Sequence, residues 1–363
     1  MNTPVISVVL PVYNGSRFLK QTIDSVLLQT FTDFEFIIVD DASTDNSRCI
    51  IDSYNDSRIQ RIYLTQNLNI CHGSNLAFSK ASGKYIALIG HDDVWHPDKL
   101  QKQLTYMEAH AECGVCFTRC NMINHENQLL NIDYFNTLEN NNRFQLLEFL
   151  FYNNNHLCAP TAFIRTSTLK AVGYYDYSLL FLQDYELWLR ILTKQDLYIL
   201  NENLTDYRQI SDTESNLSNI TEATRPRMYH ETIYLQEKLL FHMDDACFAE
   251  AFRKHFVNPE ASGEILLTCE KIWILKELNN PYYIQHLMQV INDPEYRLTL
   301  ENTYHITLQD FYKINTEPVF CEPTMTDTLE FYHAQLHNYE QIATKQQALL
   351  ERQADIIEQL EKK

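Results

Sequence analysis

Two tandem aspartates close two separate apolar runs: Asp40-Asp41 follows FEFIIV, and Asp92-Asp93 follows YIALIGH. Adjacent carboxylates repel each other. A hard divalent cation such as Mg²⁺ or Mn²⁺ relieves that repulsion, and it can bridge protein carboxylate to substrate phosphate. In open α/β sheets, ligands bind beyond the carboxyl ends of the strands, which is where both pairs fall. A plainer reading competes. Asp92 and Asp93 would cap a helix around Pro97-Asp98-Lys99-Leu100, and Asp40-Asp41 would form a turn and N-cap before a helix at Asp45.

The pairs can act together only if the chain carries both to one edge. From Val5 to Arg119 apolar strands alternate with amphipathic helices, the pattern of an α/β fold with a doubly wound, mostly parallel sheet. ISVVLPVYNG reads as a strand ending in a turn, and Phe18, Leu19, Ile23, Val26 and Leu27 share one helical face. The FEFIIVDD strand, a helix through Ile50, Ile51 and Tyr54, the strand IQRIYL, a short helix from about Gly73 to Ala81 and the YIALIGHDD strand follow. A dinucleotide oxidoreductase would place GxGxxG after its first strand. Pro11-Val12-Tyr13-Asn14-Gly15 has a single glycine, which excludes that class.

The chain has 363 residues, 45 % of them hydrophobic, and a formal charge of −19 from 29 basic and 48 acidic side chains. That length admits two or more domains with a full core. The charge excludes nucleic acid as a partner and an electrostatic grip on anionic lipid. A diphosphate ligand must then be held by a metal or by local donors. No window reaches the apolar length of a transmembrane segment, and MNTPVISVVLPVYNG lacks the basic region and cleavage site of a signal peptide. A cytoplasmic protein is expected. Nine cysteines without a disulfide framework fit a reducing compartment. Cys113, Cys116 and Cys120, in AECGVCFTRC, read as buried free thiols of a strand, because no His/Cys pair follows at zinc-site spacing.

The pieces SVVLPVYNG, FIIVDDASTDNS, ASGKYIALIGHDD with WHPDKL, then VGYYD and QDYELWLR, stand in an order and spacing that resemble the family 2 glycosyltransferases, inverting enzymes of the GT-A fold, over roughly residues 5–210. The resemblance implies that Pro11, Val12 and Tyr13 lie against a nucleotide base and that one of Asp40 and Asp41 accepts a hydrogen bond from uracil. Asp92 and Asp93 match the metal-binding DxD-like motif, with Asp92 also facing the nucleotide and Gly90 in the place of the first aspartate. Asp184 matches the catalytic base, and Glu186 is a weaker candidate two residues on. A carboxylate at a helix amino terminus is stabilised as the anion, whereas enclosure beside a sugar raises its pKa. Ser74 stands where the family often has an arginine. Tyr207-Arg208-Gln209-Ile210 keeps the Tyr-Arg of a YRxH segment and lacks its histidine, so a water or a diphosphate oxygen is expected to complete the metal shell.

Between Asn121 and Asn155 the chain is asparagine-rich around a short helix, QLLEFLF, and His156, Cys158 and Thr161 fall by position on the acceptor side. From about Arg225 amphipathic helices follow without a catalytic motif. In the tail, Leu329, Leu336, Ala343, Leu350 and Ile357 recur every seven residues, which predicts a self-associating coiled coil that stops unfinished at Lys363. The expected organisation is a nucleotide-sugar transferase domain over 1–224, a helical domain over 225–324 and a coiled coil or one long helix over 325–363. The expected activity is metal-dependent transfer of a hexosyl group from a nucleotide sugar, UDP-linked, to a hydroxyl of a glycan or glycoconjugate in polysaccharide biosynthesis, in the cytoplasm or at the inner membrane face. The alternatives are an inactive glycosyltransferase-like scaffold, motivated by Gly90, Ser74 and Ile210, and a nucleotidyltransferase, which lacks its glycine-rich basic loop here.

Overall fold

A computed structural model describes residues 3–209 and 224–314. Among them, 3–209 with 231–307 make one compact unit, and 224–230 with 308–314 belong to a second. The heptads of the tail and Ile210 lie outside the described residues. The elements run β1 (Ile6–Val12), α1 (Leu19–Leu27), β2 (Phe34–Asp40), α2 (Ser47–Asp52), β3 (Ile59–Tyr63), α3 (Asn69–Lys80), β4 (Tyr85–Leu88), β5 (Val94–Trp95) and α4 (Lys99–Ala109). Next come β6 (Cys113–Ile123), α5 (Arg143–Asn153), β7 (Phe163–Arg165), α6 (Thr166–Val172), α7 (Gln183–Leu192) and β8 (Asp196–Arg208). Helices α8 (Arg225–His242), α9 (Asp245–Phe252), α10 (Glu264–Glu277), α11 (Tyr282–Val290), α12 (Pro294–Tyr304) and α13 (Leu308–Ile314) complete the described chain.

The eight strands form one sheet in the order β3-β2-β1-β4-β7-β6-β8-β5. Its first half, β3 to β4, is wholly parallel; β7 then enters antiparallel to both β4 and β6, and β8 runs parallel to β6. The sheet is therefore mixed, with the parallel portion where the apolar runs are longest. Strands covered on both faces read as continuous hydrophobic sequence. Accordingly, Ile6, Val8 and Leu10 of β1 pack with Leu19, Ile23 and Val26 of α1 and with Leu100 and Met107 of α4, while Pro11 and Val39 lie under Gly73 of α3 on the other face. Cys113, Cys116 and Cys120 are buried in β6, and the cysteines of the described residues are free thiols.

Pro11 marks where the sheet opens. The Ile89 N–H donates to Val9 O at 3.2 Å, the last ladder bond between β1 and the β4 side, since pairing ends at Val9↔Leu88. Two residues on, Pro11 faces that same side and has no N–H to give, so its presence costs no ladder bond. The first and fourth strands thus part at their carboxyl ends, the position of a ligand crevice in doubly wound sheets.

The glycine of ASGKYI has a separate reason. A Cβ on Gly83 would lie 2.7 Å from Ile6 C and from Ser7 N, backbone atoms that cannot yield, and the Gly83 N–H donates to Ser7 Oγ at 2.9 Å. Gly83→Ala is expected to destabilise the unit by about 3 kcal/mol through overpacking against β1. Urea unfolding of the two proteins measures it, and equal midpoints would refute this account of the close approach.

Candidate active site

The ends of β1 and β2 are joined before any ligand arrives. Val12 pairs with Asp40, and the Asp41 N–H donates to Val12 O at 2.8 Å. Asn14 and Ala42 take left-handed backbone (φ 50° and 59°), turning both loops sharply. The loops are then stapled together: Asn14 N–H to Ser43 Oγ at 2.9 Å, Thr44 N–H to Asn14 Oδ1 at 2.8 Å, Gly15 N–H to Ser47 Oγ at 3.0 Å and Ser16 N–H to Asp45 Oδ2 at 2.9 Å. Burial acts to raise the Asp45 carboxyl, but hydrogen bonds from Ser47 and Ser16 outweigh it and hold the group at about 2. So the short polar residues of DDASTDNS serve the turn, leaving Tyr13 44 % exposed at its tip.

Asp40 and Asp41 differ. Asp40 is fully buried, and its Oδ2 accepts from Arg48 Nε at 2.6 Å and Ser43 N at 3.3 Å. Its Oδ1 is buried without a partner. Asp41 Oδ1 accepts the Leu68 N–H at 2.9 Å. Burial raises the Asp41 carboxyl, with partial relief from the Leu68 and Asn69 amides.

Asp92 and Asp93 do not cap the following helix. Strand β5 intervenes, and α4 starts at Lys99 without a side-chain cap. Instead both carboxylates fold over Gly90: a Cβ there would lie 2.5 Å from Asp93 Oδ2 and 3.2 Å from Asp92 Oδ1. The glycine is what permits this turn. Thr22 Oγ1 of α1 donates to Asp93 O at 2.8 Å and lies 3.0 Å from His91 O. A Cβ on Gly15 would lie 2.9 Å from the His91 ring, so the loop after β1 rests directly on this turn.

The deepest support is Arg208, itself 1 % exposed. Its Nε donates to Asp92 O at 2.8 Å and its own N–H to Asp93 Oδ1 at 3.0 Å. The rest of the guanidinium is spent on Asn124 O at 2.7 Å, Asn127 Oδ1 at 2.7 Å and Gln21 Oε1 at 3.1 Å, with the Phe18 ring 4.2 Å away. Burial, then the neighbouring Asp92 charge, raise Asp93 well above the ordinary carboxylate range, and Arg208 opposes them. Among the described residues no three His, Cys, Asp or Glu side chains gather as a metal cluster. A cation here would have two carboxylates and must draw its other ligands from outside the protein.

Asp184 lies in the first turn of α7, where its Oδ1 accepts the Tyr185 N–H at 2.8 Å and its Oδ2 takes a long 3.3 Å bond from Asn155 Nδ2. Burial dominates these bonds and pushes the carboxyl up to about 6. The enclosure therefore wins over the helix terminus. Glu186 has no such freedom: its two oxygens accept from Arg190 at 2.8 and 2.7 Å and from Lys238 at 3.0 Å.

Two buried thiols link the parts. Cys158 feels the charge of both Asp93 and Asp184. Cys71 of α3 lies 3.0 Å from Leu179 O and also feels Asp184, while the amide that opens α3 region, Leu68 N–H, holds Asp41. Asn75 of the same helix exchanges two 2.9 Å bonds with the Tyr175 backbone, and its neighbour Ser74 is buried. Asp93 and Asp184 thus both lie near the 158–161 turn, while α3 meets the Asp41 loop at its start and the 175–179 segment along its length. Pro11, Val12, Tyr13 and Asp40 attach to them through the stapled loops.

Glu231 of α8 was invisible to motif reading. Its carboxylate, on a residue 5 % exposed, accepts the N–H groups of Leu180, Phe181 and Leu182 at 2.9, 2.8 and 3.0 Å, the free donors just before α7. On the same helix Lys238 donates to Asp176 Oδ2 at 2.5 Å. The available signal was spacing: Glu231, Leu235 and Leu239 lie on one helical face, placing an acid in an apolar stripe.

A family model described as Glycosyl transferase family 2 matches residues 7–173. The chain is 41 % identical over 117 residues to TuaG of Bacillus subtilis, a glycosyltransferase named for teichuronic acid biosynthesis, across 32 % of this chain and 46 % of that protein, so it spans less than half of that relative. It is 30 % identical over 295 residues to the uncharacterized glycosyltransferase MJ1057 of Methanocaldococcus jannaschii, across 80 % of this chain and 94 % of that one. It is 26 % identical over 219 residues to WfgD of Escherichia coli, named UDP-Glc:alpha-D-GlcNAc-diphosphoundecaprenol beta-1,3-glucosyltransferase, across 55 % of this chain and 75 % of that protein. S. aureus TarS 1-349, solved in complex with UDP-GlcNAc, has a TM-score of 0.55 at 19 % identity, across 83 % of this chain and 91 % of that chain; the likeness is one of fold.

Two measurements test this geometry. A carboxyl raised to about 6 binds more protons in the folded chain than in the unfolded one, so stability falls as pH rises from its ordinary 3.8 through 6. Asp184→Asn should stabilise the unit by on the order of 2 kcal/mol above that window and be neutral below it; a constant difference in Tm from pH 4 to 8 would contradict the shift. Glu231→Gln should speed amide exchange at Leu180, Phe181 and Leu182 by about tenfold or more, since charge-assisted bonds are lost. Unchanged protection there would remove Glu231 from its role.

Proposed function

The chain belongs to the family 2 glycosyltransferases, and on that premise we propose that it moves a hexosyl group from a UDP-sugar, with inversion, to a hydroxyl of a glycan or glycoconjugate. The observation that carries this reading is Asp184: a carboxyl raised to about 6 and bonded only to neutral donors, near the buried Cys158 that also feels Asp93. It is anionic at neutral pH and still basic enough to take a proton from an attacking hydroxyl.

In this reading Asp184 Oδ2, whose contact to Asn155 is long, receives the acceptor proton. The hydroxyl oxygen then bonds to the anomeric carbon as the diphosphate leaves from the opposite face, and an α-linked donor gives a β-linked product. Asp92 Oδ1 and Asp93 Oδ2, both turned over Gly90, would hold Mn²⁺ or Mg²⁺. When bound, a divalent cation offsets charge on the departing diphosphate. One of Asp40 and Asp41 would accept the N3–H of uracil: Asp40 Oδ1 has no partner but is enclosed, and Asp41 accepts from Leu68 with one of its two oxygens. Pro11, Val12 and Tyr13 supply the face against which the base lies. The printed name of WfgD, with a UDP-linked donor and a sugar-diphosphate acceptor, agrees with a UDP-sugar here. So does the naming of TuaG for a surface polymer. Gly90, which motivated an inactive scaffold, is accounted for by the room that the two carboxylates need.

Screening nucleotide sugars for release of nucleotide tests the proposal. Asp184→Asn should lower turnover by about 10²-fold or more with UDP affinity retained. In the unsubstituted protein kcat should rise with pH to about 6 and then level, because only the deprotonated carboxyl serves. UDP should bind more tightly with Mn²⁺ than with EDTA. Metal-independent binding, or an Asp184→Asn protein that turns over normally, would defeat it.

A further inference from the structure

The segment between β6 and β7 carries an aromatic surface that the proposed chemistry does not use. Tyr134 stacks on His156, with centroids 4.9 Å apart and rings 19° from parallel, and Phe149 lies 5.5 Å from the same imidazole. Tyr134 is 46 % exposed and Phe149 37 %. Two exposed rings about one imidazole, Tyr134 stacked on it and Phe149 tilted at 59°, give an apolar surface to something else.

The surface is built rather than accidental. The His156 Nε2–H donates to Asn153 O at 3.0 Å, which fixes the ring plane, and Nδ1 lies 3.0 Å from Thr137 Oγ1, whose one proton goes either to that nitrogen or to Tyr134 O at 3.1 Å. The platform sits beside the base. Asn155, adjacent to His156, holds Asp184 Oδ2 at 3.3 Å.

We propose that Tyr134, His156 and Phe149 form the platform that receives the acceptor, and that the acceptor presents a pyranose ring to it. A pyranose offers one apolar face of C–H bonds and a rim of hydroxyls. The platform answers both, with aromatic planes for the face and the exposed Asn153, Asn154 and Thr137 for the rim. An acyl chain would use the planes and leave the amides idle. The inference rests on the proposed sugar transfer and adds the chemical class of the acceptor.

Saturation-transfer NMR on the full chain tests it, with methyl β-glycosides of glucose, galactose, mannose and N-acetylglucosamine and with octyl β-glucoside below its critical micelle concentration, each in the presence of UDP. Ring protons of at least one glycoside should be saturated. Tyr134→Ala should weaken that binding about tenfold, Tyr134→Phe should restore it, and UDP affinity should be equal in all three proteins. Sugar signals that survive Tyr134→Ala overturn the platform, as does saturation confined to the octyl chain or absent for every glycoside while UDP binds. Failure of UDP to bind the unsubstituted chain instead overturns the transfer reading, and the platform's acceptor role with it.

Discussion

Everything at the crevice depends on one buried guanidinium. Arg208, at the end of β8, reaches the Asp92–Asp93 turn, the α1 side chain Gln21 and the loop residues Asn124 and Asn127. Three parts of the chain far apart in sequence are thereby fixed to one side chain. The arrangement holds only while every donor is matched, because a buried charge stripped of a partner costs far more than the partner contributed. Burial lowers the Arg208 pKa, and Asp92, Asp93 and Asp206 act against that shift. The carboxylates and the guanidinium each offset part of what burial does to the other.

The sheet supplies the opening and the helices supply the tension across it. β1 and β4 part at Pro11, and the loops beyond β1 and β2 are fastened by four short polar contacts. The 173–182 segment has little secondary structure of its own. It is held from two directions, by Asn75 and Cys71 of α3 and by Glu231 and Lys238 of α8. An amphipathic helix that looks like packing in sequence therefore acts as the mooring of the helix that carries Asp184.

The parallel half of the fold was legible because β1, β2 and β4 are buried on both faces, and such strands must be written as unbroken apolar runs. β7 and β5 were not. They have three and two residues, and they exist only through pairing with strands distant in sequence. The site divides the same way. Tandem aspartates at strand ends announce themselves, and so does an acid opening an apolar helix. Glu231 does not, because its partners are backbone groups, which carry no signature in sequence, and Arg208 shows itself only as half of a YRxH segment, with no hint of the partners it holds. The plain readings of the aspartates also separate: Asp40 accepts the Ser43 N–H of its own turn without capping α2, whereas Asp92 and Asp93 cap no helix.

The absent first aspartate of the metal motif follows from the same electrostatics. At Gly90 a side chain would meet Asp93 Oδ2 at 2.5 Å, and a carboxylate there would add a third negative charge to a pair in which Asp92 already raises Asp93. In a chain of net charge −19 no surplus of cationic side chains relieves it. The glycine lets the turn close, and in the proposed reaction a cation would find two carboxylates here. Two carboxylates alone hold Mg²⁺ or Mn²⁺ weakly, because such ions demand six oxygens and part with water reluctantly. The diphosphate, for its part, is repelled by the acidic crevice unless a cation accompanies it. In the proposed reaction each therefore supplies what the other lacks, and binding of metal and nucleotide is coupled by the geometry of a single glycine.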